Sequence, residues 1–367
     1  MDGSPPPSRT WAEVDLAAVR HNVRTLLRRA NNTPLMAVVK ADAYGHGAVP
    51  VARAALEAGA GSLAVVTAEE GAELRGAGIT APILVFTDLR PEGLLVARRH
   101  GLTVTAHSVE SAKRVGAVPG LQAHLKVNTG MNRWGVEPSE VGEARKILAG
   151  RIAGVYTHFS SADSDAGETR RQIELFDAVL ADQPFGGALA HAANSAALLW
   201  HPKARYGCVR PGISLYGLHP KGDGDDPAEE GLRPAMTLKS YVAGIRRLRT
   251  GEGVSYGLTY RADGPTFAAT VPVGYAEGYR RSLSGRGHAL IRGARRPLLG
   301  RVTMDACVFG VDGGVEVGDE VVLLGGQGGE RIPAEELGRL AGTINYEITT
   351  GVNPRRVERS YTDVRGS

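Results

Sequence analysis

Short apolar runs alternate with amphipathic stretches along the first two thirds of this 367-residue chain, and this alternation restricts the fold more than any other feature. Such runs are typical of buried strands, and strands that alternate with helices form parallel sheets. Eight units of this kind close into a (β/α)8 TIM barrel, which we predict for residues 9–235. The eight runs are Leu35–Val39, Leu63–Val66, Ile83–Phe86, Leu102–Thr105, Gln122–Val127, Ile152–Thr157, Ala188–His191 and Cys208–Arg210.

Helix signals lie between these runs. Asp15 is a predicted N-cap, Thr67 and Glu70 form a predicted capping box, and helices are predicted to begin at Pro91 and Pro138. The pattern changes near Met236, where short β-type runs are separated by glycine-rich turns and one helix is predicted from Pro333 to Leu340. We therefore predict an α/β fold in which the barrel is followed by a smaller, mostly β C-terminal domain over residues 236–367. Residues 1–8 are predicted to be a flexible tail.

Composition excludes several function classes. The chain has 43 basic and 39 acidic residues, and no basic run is interleaved with aromatic residues, so we expect no nucleic-acid partner. No apolar run approaches the ~20 residues that span a bilayer, so we expect no membrane partner. Cys208 and Cys307 lie in separate apolar contexts, and the chain begins without a secretory signal, which predicts reduced thiols in a cytoplasmic protein.

Residues that follow the predicted strands point to a phosphorylated cofactor. In a barrel of this kind the active site lies at the carboxyl ends of the strands, and phosphate binds after strands seven and eight. Lys40 directly follows a buried apolar run, where desolvation lowers the pKa of an amine and favours Schiff-base chemistry. A surface lysine is the alternative interpretation. Ser195 at a predicted helix start and the amides near Gly212 are candidate phosphate ligands.

The string AVVKADAYGHG around Lys40 resembles the cofactor-lysine signature of bacterial alanine racemases. The resemblance extends from about residue 9 to the end of the chain, because further blocks follow in the same order. These blocks are KVNTGMNRWG, GVYTHFSSAD, ANSAA, VRPGISLYG, GVSYGLTY, PVGYAEGY and GRVTMD. The resemblance implies pyridoxal 5'-phosphate as the cofactor, alanine as the substrate, and a homodimer with shared active sites. It also implies a role in supplying D-alanine for peptidoglycan.

The resemblance further implies two catalytic bases on opposite faces of the substrate. Lys40 would form the internal aldimine and act as one base, and Tyr256 of the partner subunit would act as the other. A cationic environment for the phenol would come from His158 hydrogen-bonded to Arg210. Arg210 would also face the pyridine nitrogen, which stays unprotonated because an arginine cannot accept a proton. A packed aromatic residue at a turn is the alternative interpretation of Tyr256.

Several other positions match the family's binding residues. The implied cofactor-binding set is Lys40, Tyr44, His158, Asn194, Ser195, Arg210, Gly212 and Ile213. The implied substrate-binding residues are Arg133, Met304 and Asp305, the last two from the partner subunit. Tyr275, Arg280 and Arg301 match residues of the substrate entryway, with ordinary surface charge as the alternative.

Lys126 poses an electrostatic problem, because two cations, Lys126 and Arg133, would repel each other in one water-poor site. The equivalent lysine of the family is often carbamylated, so the resemblance implies the same modification of Lys126, with a lysine that reaches solvent as the alternative.

One departure from the family pattern concerns the C-terminus. The family often has a phosphate-binding tyrosine after the segment that resembles Tyr346-Glu-Ile348, and the nearby residues here are Asn353, Pro354 and Arg355. The resemblance therefore implies that the phosphate is held without that hydroxyl.

Three rival functions fit parts of the sequence. His124, His158 and His191 lie on or near strands five to seven, as in metal-dependent barrel hydrolases. Such sites also need a His-x-His pair after the first strand and a carboxylate after the eighth, where this chain has Lys40 and Arg210. We therefore expect no metal, and we interpret His124 and His191 as core histidines. Another barrel-fold pyridoxal-phosphate enzyme, such as an amino-acid decarboxylase, and a racemase of broader range that accepts serine remain as alternatives.

Overall fold

The computed structural model of this chain describes residues 8–363, so the predicted tail lies outside the described residues except for Ser8. The first strand, β1 (Trp11–Asp15), precedes the barrel. The barrel strands are β2 (Met36–Val38), β3 (Ser62–Val65), β4 (Ile83–Val85), β5 (Val104–Ala106), β6 (Ala123–Lys126), β7 (Ile152–Tyr156) and β8 (Leu189–His191).

These strands close into a parallel ring. Strands β2 to β4 pair in order, as do β5 to β8. A single bridge between Leu84 and Thr103 joins the two groups. The eighth run contributes bridges from Cys208 to β8 and from Val209 to Leu35 instead of a regular strand. Pro211 follows this run; its carbonyl accepts the Val38 amide at 3.1 Å, but it has no backbone N–H to donate, so no full bridge forms there. The predicted barrel is confirmed.

Helices pack around the ring and connect its strands. They are α1 (Leu16–Arg29), the single left-handed turn α2 (Lys40–Tyr44), α3 (Ala48–Glu57), α4 (Ala68–Gly76), α5 (Pro91–Arg99), α6 (Val109–Gly116), α7 (Val141–Ile147), α8 (Ala166–Asp182) and α9 (Ser195–Trp200). Asp15 caps α1 by accepting the amides of Ala17 and Ala18. Thr67 and Glu70 form the predicted capping box of α4. These local signals set where the helices begin and therefore where the strand-end loops lie.

The C-terminal region is mostly β, as predicted. Its strands are β9 (Met236–Tyr241), β10 (Gly244–Leu248), β11 (Gly253–Val254), β12 (Tyr260–Arg261), β13 (Thr266–Val271), β14 (His288–Ile291), β15 (Ala294–Pro297), β16 (Cys307–Val311), β17 (Glu320–Gln327), β18 (Glu330–Ile332) and β19 (Glu358–Thr362). Its helices are α10 (Ala334–Ala341) and α11 (Asn345–Thr350).

The first strand of the chain belongs to the sheet of the C-terminal region. The sheet order is β15-β14-β17-β9-β1-β19, and β18 also pairs with β17. Strand β1 is antiparallel to β9 and parallel to β19, with Trp11 opposite Glu358. The sequence pattern groups Trp11–Asp15 with the barrel, because no local signal reveals a partner so far along the chain. The division at residues 235 and 236 stays a prediction.

One continuous apolar cluster includes residues of both regions. Val51 and Leu63 of the barrel are fully buried in it, as are Val322 and Leu323 of β17. The barrel and the sheet that contains β1 therefore share their core, which fixes the C-terminal segment against the barrel. Between Ser8 and Asp363, no helix combines the length and the apolar character that crossing a bilayer requires.

Candidate active site

A cavity of about 270 Å³ lies at the carboxyl ends of the barrel strands. Ten residues predicted from the sequence line it together: Lys40, Tyr44, Lys126, Arg133, His158, Asn194, Ser195, Arg210, Gly212 and Ile213. Six further lining residues were missed: Val38, Val66, Phe86, Trp134, Tyr156 and Tyr346. Four of these six end a barrel strand or directly follow one, so a search of every strand end would have found them. Trp134 gives no comparable signal. Tyr346 corrects the expectation that the C-terminal segment brings no tyrosine to the cofactor site, because Tyr346 lines the cavity and its ring centroid lies 6.2 Å from that of Tyr44.

Lys40 begins a turn of unusual backbone conformation. Ala41, Asp42, Ala43 and Tyr44 have φ values of 51°, 52°, 52° and 53°, which form a left-handed helical turn. Left-handed conformations cost roughly 1–2 kcal/mol per L-residue, so the surroundings must hold this turn. Glu70 accepts the Ala41 amide at 2.7 Å, and Asp42 accepts the amide of Ala48 at 2.8 Å.

The environment of Lys40 favours its neutral amine. Burial lowers the pKa of Lys40, the nearby charge of Arg133 lowers it further, and Glu70 opposes both effects. The Nζ atom lies 5.9 Å from the centroid of the Tyr44 ring. A neutral amine at a barrel mouth is a nucleophile that can bond an aldehyde.

Arg210 is buried and is held by neutral acceptors. Its guanidinium donates to Nδ1 of His191 at 2.8 Å and to the carbonyl oxygens of Thr157 and Ala192 at 2.9 and 3.0 Å. Nδ1 of His158 lies 3.5 Å away. No carboxylate between residues 8 and 363 forms an ion pair with Arg210, and burial lowers its pKa to about 10. The cavity therefore contains a fixed positive charge with no anionic partner in this part of the chain.

A second histidine continues this network. Nε2 of His191 lies 2.7 Å from Nδ1 of His124, and the ring of Tyr156 stacks on His191 at 4.8 Å. Gly154 on β7 makes room for His124, because a Cβ at Gly154 would lie 2.6 Å from the ring. His124 and His191 are core histidines, as interpreted from the sequence, and they brace Arg210 from below the cavity.

Hydroxyl and amide groups meet around Gly212 in the cavity lining. Ser195 begins α9, and its Oγ accepts the Gly212 amide at 2.9 Å. Gly212 must lack a side chain, because a Cβ there would lie 2.4 Å from the Tyr44 hydroxyl. Asn194 caps α9 by accepting the amide of Ala197 at 2.9 Å. Two hydroxyls and neighbouring amides in one place form a set of donors suited to a phosphate group.

Lys126 and Arg133 lie on one side of the cavity, against aromatic rings. The Nζ of Lys126 is 5.8 Å from the Trp134 ring centroid and 5.9 Å from that of Tyr156. The Arg133 guanidinium is 5.5 Å from the Trp134 ring. Burial lowers the pKa of Lys126 to about 7, with further contributions from the charges of Arg133, Arg210 and Lys40.

The remaining six predicted residues do not line the cavity. They lie on the C-terminal region, where Tyr256 is 74% exposed and Met304 is half exposed. Ser255 donates a hydrogen bond to the carbonyl of Arg301, so the Tyr256 loop and Arg301 are neighbours. The backbones of Tyr275 and Ala276 bond to those of Thr303 and Met304. Arg280 pairs with Glu347 at 3.3 Å.

Asp305 belongs to a cluster of alternating charges. Arg9 and Arg356 each pair with Asp305 and with Glu277, whose side chain is fully buried. Hydrogen bonds from Arg9 and Arg356 lower the pKa of Asp305. The cluster connects the residues before β1 with the loop that contains Met304. Across the described residues, no group of three His, Cys, Asp or Glu side chains is arranged to hold a metal ion.

Comparisons with known proteins cover nearly the whole chain. Residues 14–220 match the family model described as "Alanine racemase, N-terminal domain". Residues 235–361 match the model described as "Alanine racemase, C-terminal domain". A curated relative named "Alanine racemase" from Symbiobacterium thermophilum is 48% identical over 379 residues, covering 98% of each chain.

Solved structures agree with this match. The crystal structure of alanine racemase from D-cycloserine-producing Streptomyces lavendulae has a TM-score of 0.89 and 38% identity, covering 98% of both chains. The structure of alanine racemase from Bacillus anthracis with bound L-Ala-P has a TM-score of 0.90 and 36% identity. It covers 99% of this chain and 97% of its own.

Proposed function

The chain belongs to the alanine racemase family, and from this premise we propose that it interconverts L-alanine and D-alanine with pyridoxal 5'-phosphate held on Lys40. The observation that carries the proposal is the shared cavity of Lys40 and Arg210, in which a desolvated amine and a fixed guanidinium face the same space. The hydroxyls of Tyr44 and Ser195 lie in the same cavity.

The residues present fit this cofactor. Lys40 would supply the amine that bonds its aldehyde, and Arg210 would supply a donor for its ring nitrogen. Its phosphate would be held by Tyr44, Ser195 and the amides of Gly212 and Ile213, with Asn194 shaping the start of α9. The space at Gly212, which a Cβ would fill, supports close approach to this backbone. When bound, the cofactor withdraws electrons from the α-carbon of an amino acid and so acidifies its proton.

Two bases would move the proton at the α-carbon. Lys40 acts from one face, because burial lowers the pKa of its amine and so favours the neutral form that accepts a proton. The second base is Tyr256 of the partner subunit, with His158 beside Arg210 completing its environment. The 74% exposure of Tyr256 in a single chain supports its use by a second copy. Met304 and Asp305 of that copy would close the substrate end, and Tyr275, Arg280 and Arg301 would form the entryway.

Arg133 would bind the substrate carboxylate, and a modified Lys126 would brace Arg133. The amine of Lys126 has a pKa of about 7, so a large fraction is neutral near physiological pH. A neutral amine reacts with carbon dioxide to form a carbamate and releases one proton. The product is an anion near Arg133 and Arg210, and its charge attracts both guanidinium groups, whereas a protonated Lys126 would repel them.

We further propose that the protein acts in the cytoplasm as a homodimer and supplies D-alanine for peptidoglycan. Alanine is the preferred substrate, with serine as the broader alternative.

The decisive experiment measures both cofactor and product. Purified protein with pyridoxal phosphate should absorb near the visible edge, lose that absorbance on borohydride reduction, and form D-alanine from L-alanine in a chiral assay. Parallel assays with L-serine and for carbon dioxide release separate the broader racemase and the decarboxylase. Protein that forms no D-alanine but releases carbon dioxide, or that contains stoichiometric zinc and no cofactor, would overturn the proposal.

A further inference from the structure

The left-handed turn after Lys40 is held from the opposite end of the chain. Arg359 on β19 donates from Nη1 to Oδ2 of Asp42 at 2.6 Å, and the Arg359 side chain is only 11% exposed. The other carboxylate oxygen of Asp42 accepts the Ala48 amide. Asp42 is therefore fixed on one side by the start of α3 and on the other side by the last strand of the sheet.

Two glycines that follow the turn allow the chain to pack closely against α11 and β19. A Cβ at Gly45 would lie 2.1 Å from the carbonyl oxygen of Thr349 in α11. A Cβ at Gly47 would lie 2.0 Å from the hydroxyl of Tyr361 in β19. Both glycines have positive φ, 85° and 93°. The chain that leaves the turn is thus packed directly on residues of the C-terminal segment, with no room for a side chain between them.

The local sequence does not explain this conformation. Ala41 and Ala43 favour the right-handed helix, and a left-handed turn of four L-residues persists only where surrounding contacts impose it. The contacts that act on the turn are Glu70 at its start, Asp42 with Arg359 in its middle, and the C-terminal packing at its end. The ion pair is the one that joins the turn to β19.

We propose that Asp42 and Arg359 are positioning residues for Lys40: the C-terminal strand sets the geometry of the cofactor lysine through the left-handed turn. The inference rests on the proposed function, because Lys40 is the residue that bonds the cofactor there. The turn separates Lys40 from Tyr44, whose hydroxyl lies beside Gly212 at the phosphate end. A relaxed turn would change the distance between the amine and the phosphate ligands. Cofactor would then still bind, but less of it would be linked to Lys40.

The test measures linkage separately from binding. The variants are Arg359→Met, Arg359→Lys and Asp42→Asn. The matched control is Arg296→Met, which removes another 2.6 Å ion pair, with Asp312, from a side chain that is 16% exposed and does not line the cavity. Each protein is saturated with pyridoxal phosphate and reduced with borohydride, and the reduced fraction of Lys40 is measured by peptide mass. Total bound cofactor is measured after equilibrium dialysis.

Arg359→Met is expected to lower the ratio of Lys40-linked to unlinked bound cofactor by roughly tenfold. This is the size of effect expected if one left-handed residue of the turn relaxes and its backbone strain is released. Arg359→Lys should recover a large part of this ratio, and Arg296→Met should leave it unchanged. Asp42→Asn keeps the oxygen that accepts the Ala48 amide and tests the same ion pair if Arg359→Met does not fold. Wild-type linkage in a folded Arg359→Met or Asp42→Asn protein overturns the inference. Wild-type protein that links no cofactor would instead overturn the proposed function.

Discussion

The guanidinium of Arg210 donates a 2.8 Å hydrogen bond to Nδ1 of His191, and this contact determines the protonation of two buried histidines. An acceptor at Nδ1 must lack a proton, so His191 is neutral with its proton on Nε2. That proton is donated to Nδ1 of His124 at 2.7 Å, which places the proton of His124 on its own Nε2. Burial, with the charge of Arg210, lowers the pKa of both rings, and that of His124 falls to about 4.

The first prediction concerns the acceptor at His191. His191→Leu should leave the Arg210 guanidinium with one hydrogen bond fewer and free to rotate, lowering kcat roughly tenfold to a hundredfold. His191→Asn should keep much of the activity, because its amide oxygen can occupy the position of Nδ1. The measurement is kcat for alanine racemisation together with the absorbance spectrum of the bound cofactor. Equal losses in the two variants would mean that ring packing on Tyr156, and not the acceptor, is what matters.

The second prediction concerns the space beneath His124. Gly154→Ala places a Cβ 2.6 Å from the imidazole, so the ring must move and the protein should lose about 1–3 kcal/mol of unfolding free energy. The control is Gly76→Ala near the end of α4, where no heavy atom would lie within 4 Å of the new Cβ. Thermal or denaturant unfolding measures both. The double variant with His124→Ala and Gly154→Ala should recover part of the unfolding free energy that Gly154→Ala loses, because the clashing ring is removed. If the double variant recovers none, the new Cβ clashes with a group other than His124.

The sequence predicts the barrel well because its pattern is local. Apolar runs and caps lie within a few residues of the elements they specify, and the predicted run Ile152–Thr157 contains the whole of β7. The site residues that follow strands come together for the same reason, since parallel strands present their carboxyl ends at one edge. The eighth run differs because Pro211, which follows it, has no backbone N–H to donate, and the run forms only one bridge to each of its two neighbours.

Features imposed from a distance could not be predicted. The pairing of β1 with β19 joins the two ends of the chain, and neither strand's sequence specifies the other. The left-handed turn runs against the helix propensity of Ala41 and Ala43, because Arg359 and the C-terminal packing hold it. Tyr346 lines the cavity from α11, a helix that the sequence pattern does not predict. Each of these depends on contacts made only after the chain has folded.

The third prediction concerns carbamylation of Lys126. The neutral amine reacts, so the modified fraction should rise with pH as it passes through about 7, the lowered pKa of Lys126. Intact-mass measurement in bicarbonate buffer at a series of pH values should show the added mass of one carbon dioxide. Lys126→Met should abolish the addition and weaken substrate binding through Arg133. An unmodified mass at every pH, or the same addition to Lys126→Met, would contradict the assignment.

The fourth prediction separates the two proposed bases. Deuterium exchange at the α-carbon is measured for L-alanine and D-alanine separately, with Lys40→Ala and Tyr256→Phe. Each variant should lose exchange from a different enantiomer first, because each base contacts one face of the α-carbon. Equal loss from both enantiomers in both variants would exclude a mechanism with two opposed bases. Mixing the two inactive variants should restore some activity if Tyr256 comes from the partner subunit, since mixed dimers contain one intact site.

The fifth prediction concerns Glu277, the fully buried carboxylate between Arg9 and Arg356. Glu277→Gln removes the charge that both arginines share but keeps an oxygen for the Gly274 amide, which the carboxylate accepts at 2.8 Å. Because both arginines are more than one third exposed, solvent screens them, and the expected loss of unfolding free energy is about 1–3 kcal/mol. Denaturant unfolding provides the measurement.

Asp305→Asn is the matched variant, because Asp305 contacts the same two arginines from an exposed position. Asp305→Asn should lower the unfolding free energy less than Glu277→Gln does. It should nevertheless lower the racemisation activity more strongly for the same loss of stability, because Asp305 is a proposed substrate-binding residue. Racemisation kinetics and unfolding are measured on the same preparations. If Glu277→Gln is as stable as the wild type, the charge of Glu277 does not contribute to stability. Asp305 and the surrounding sheet would then hold Arg9 and Arg356, and the buried carboxylate would not be what fixes the loop that contains Met304.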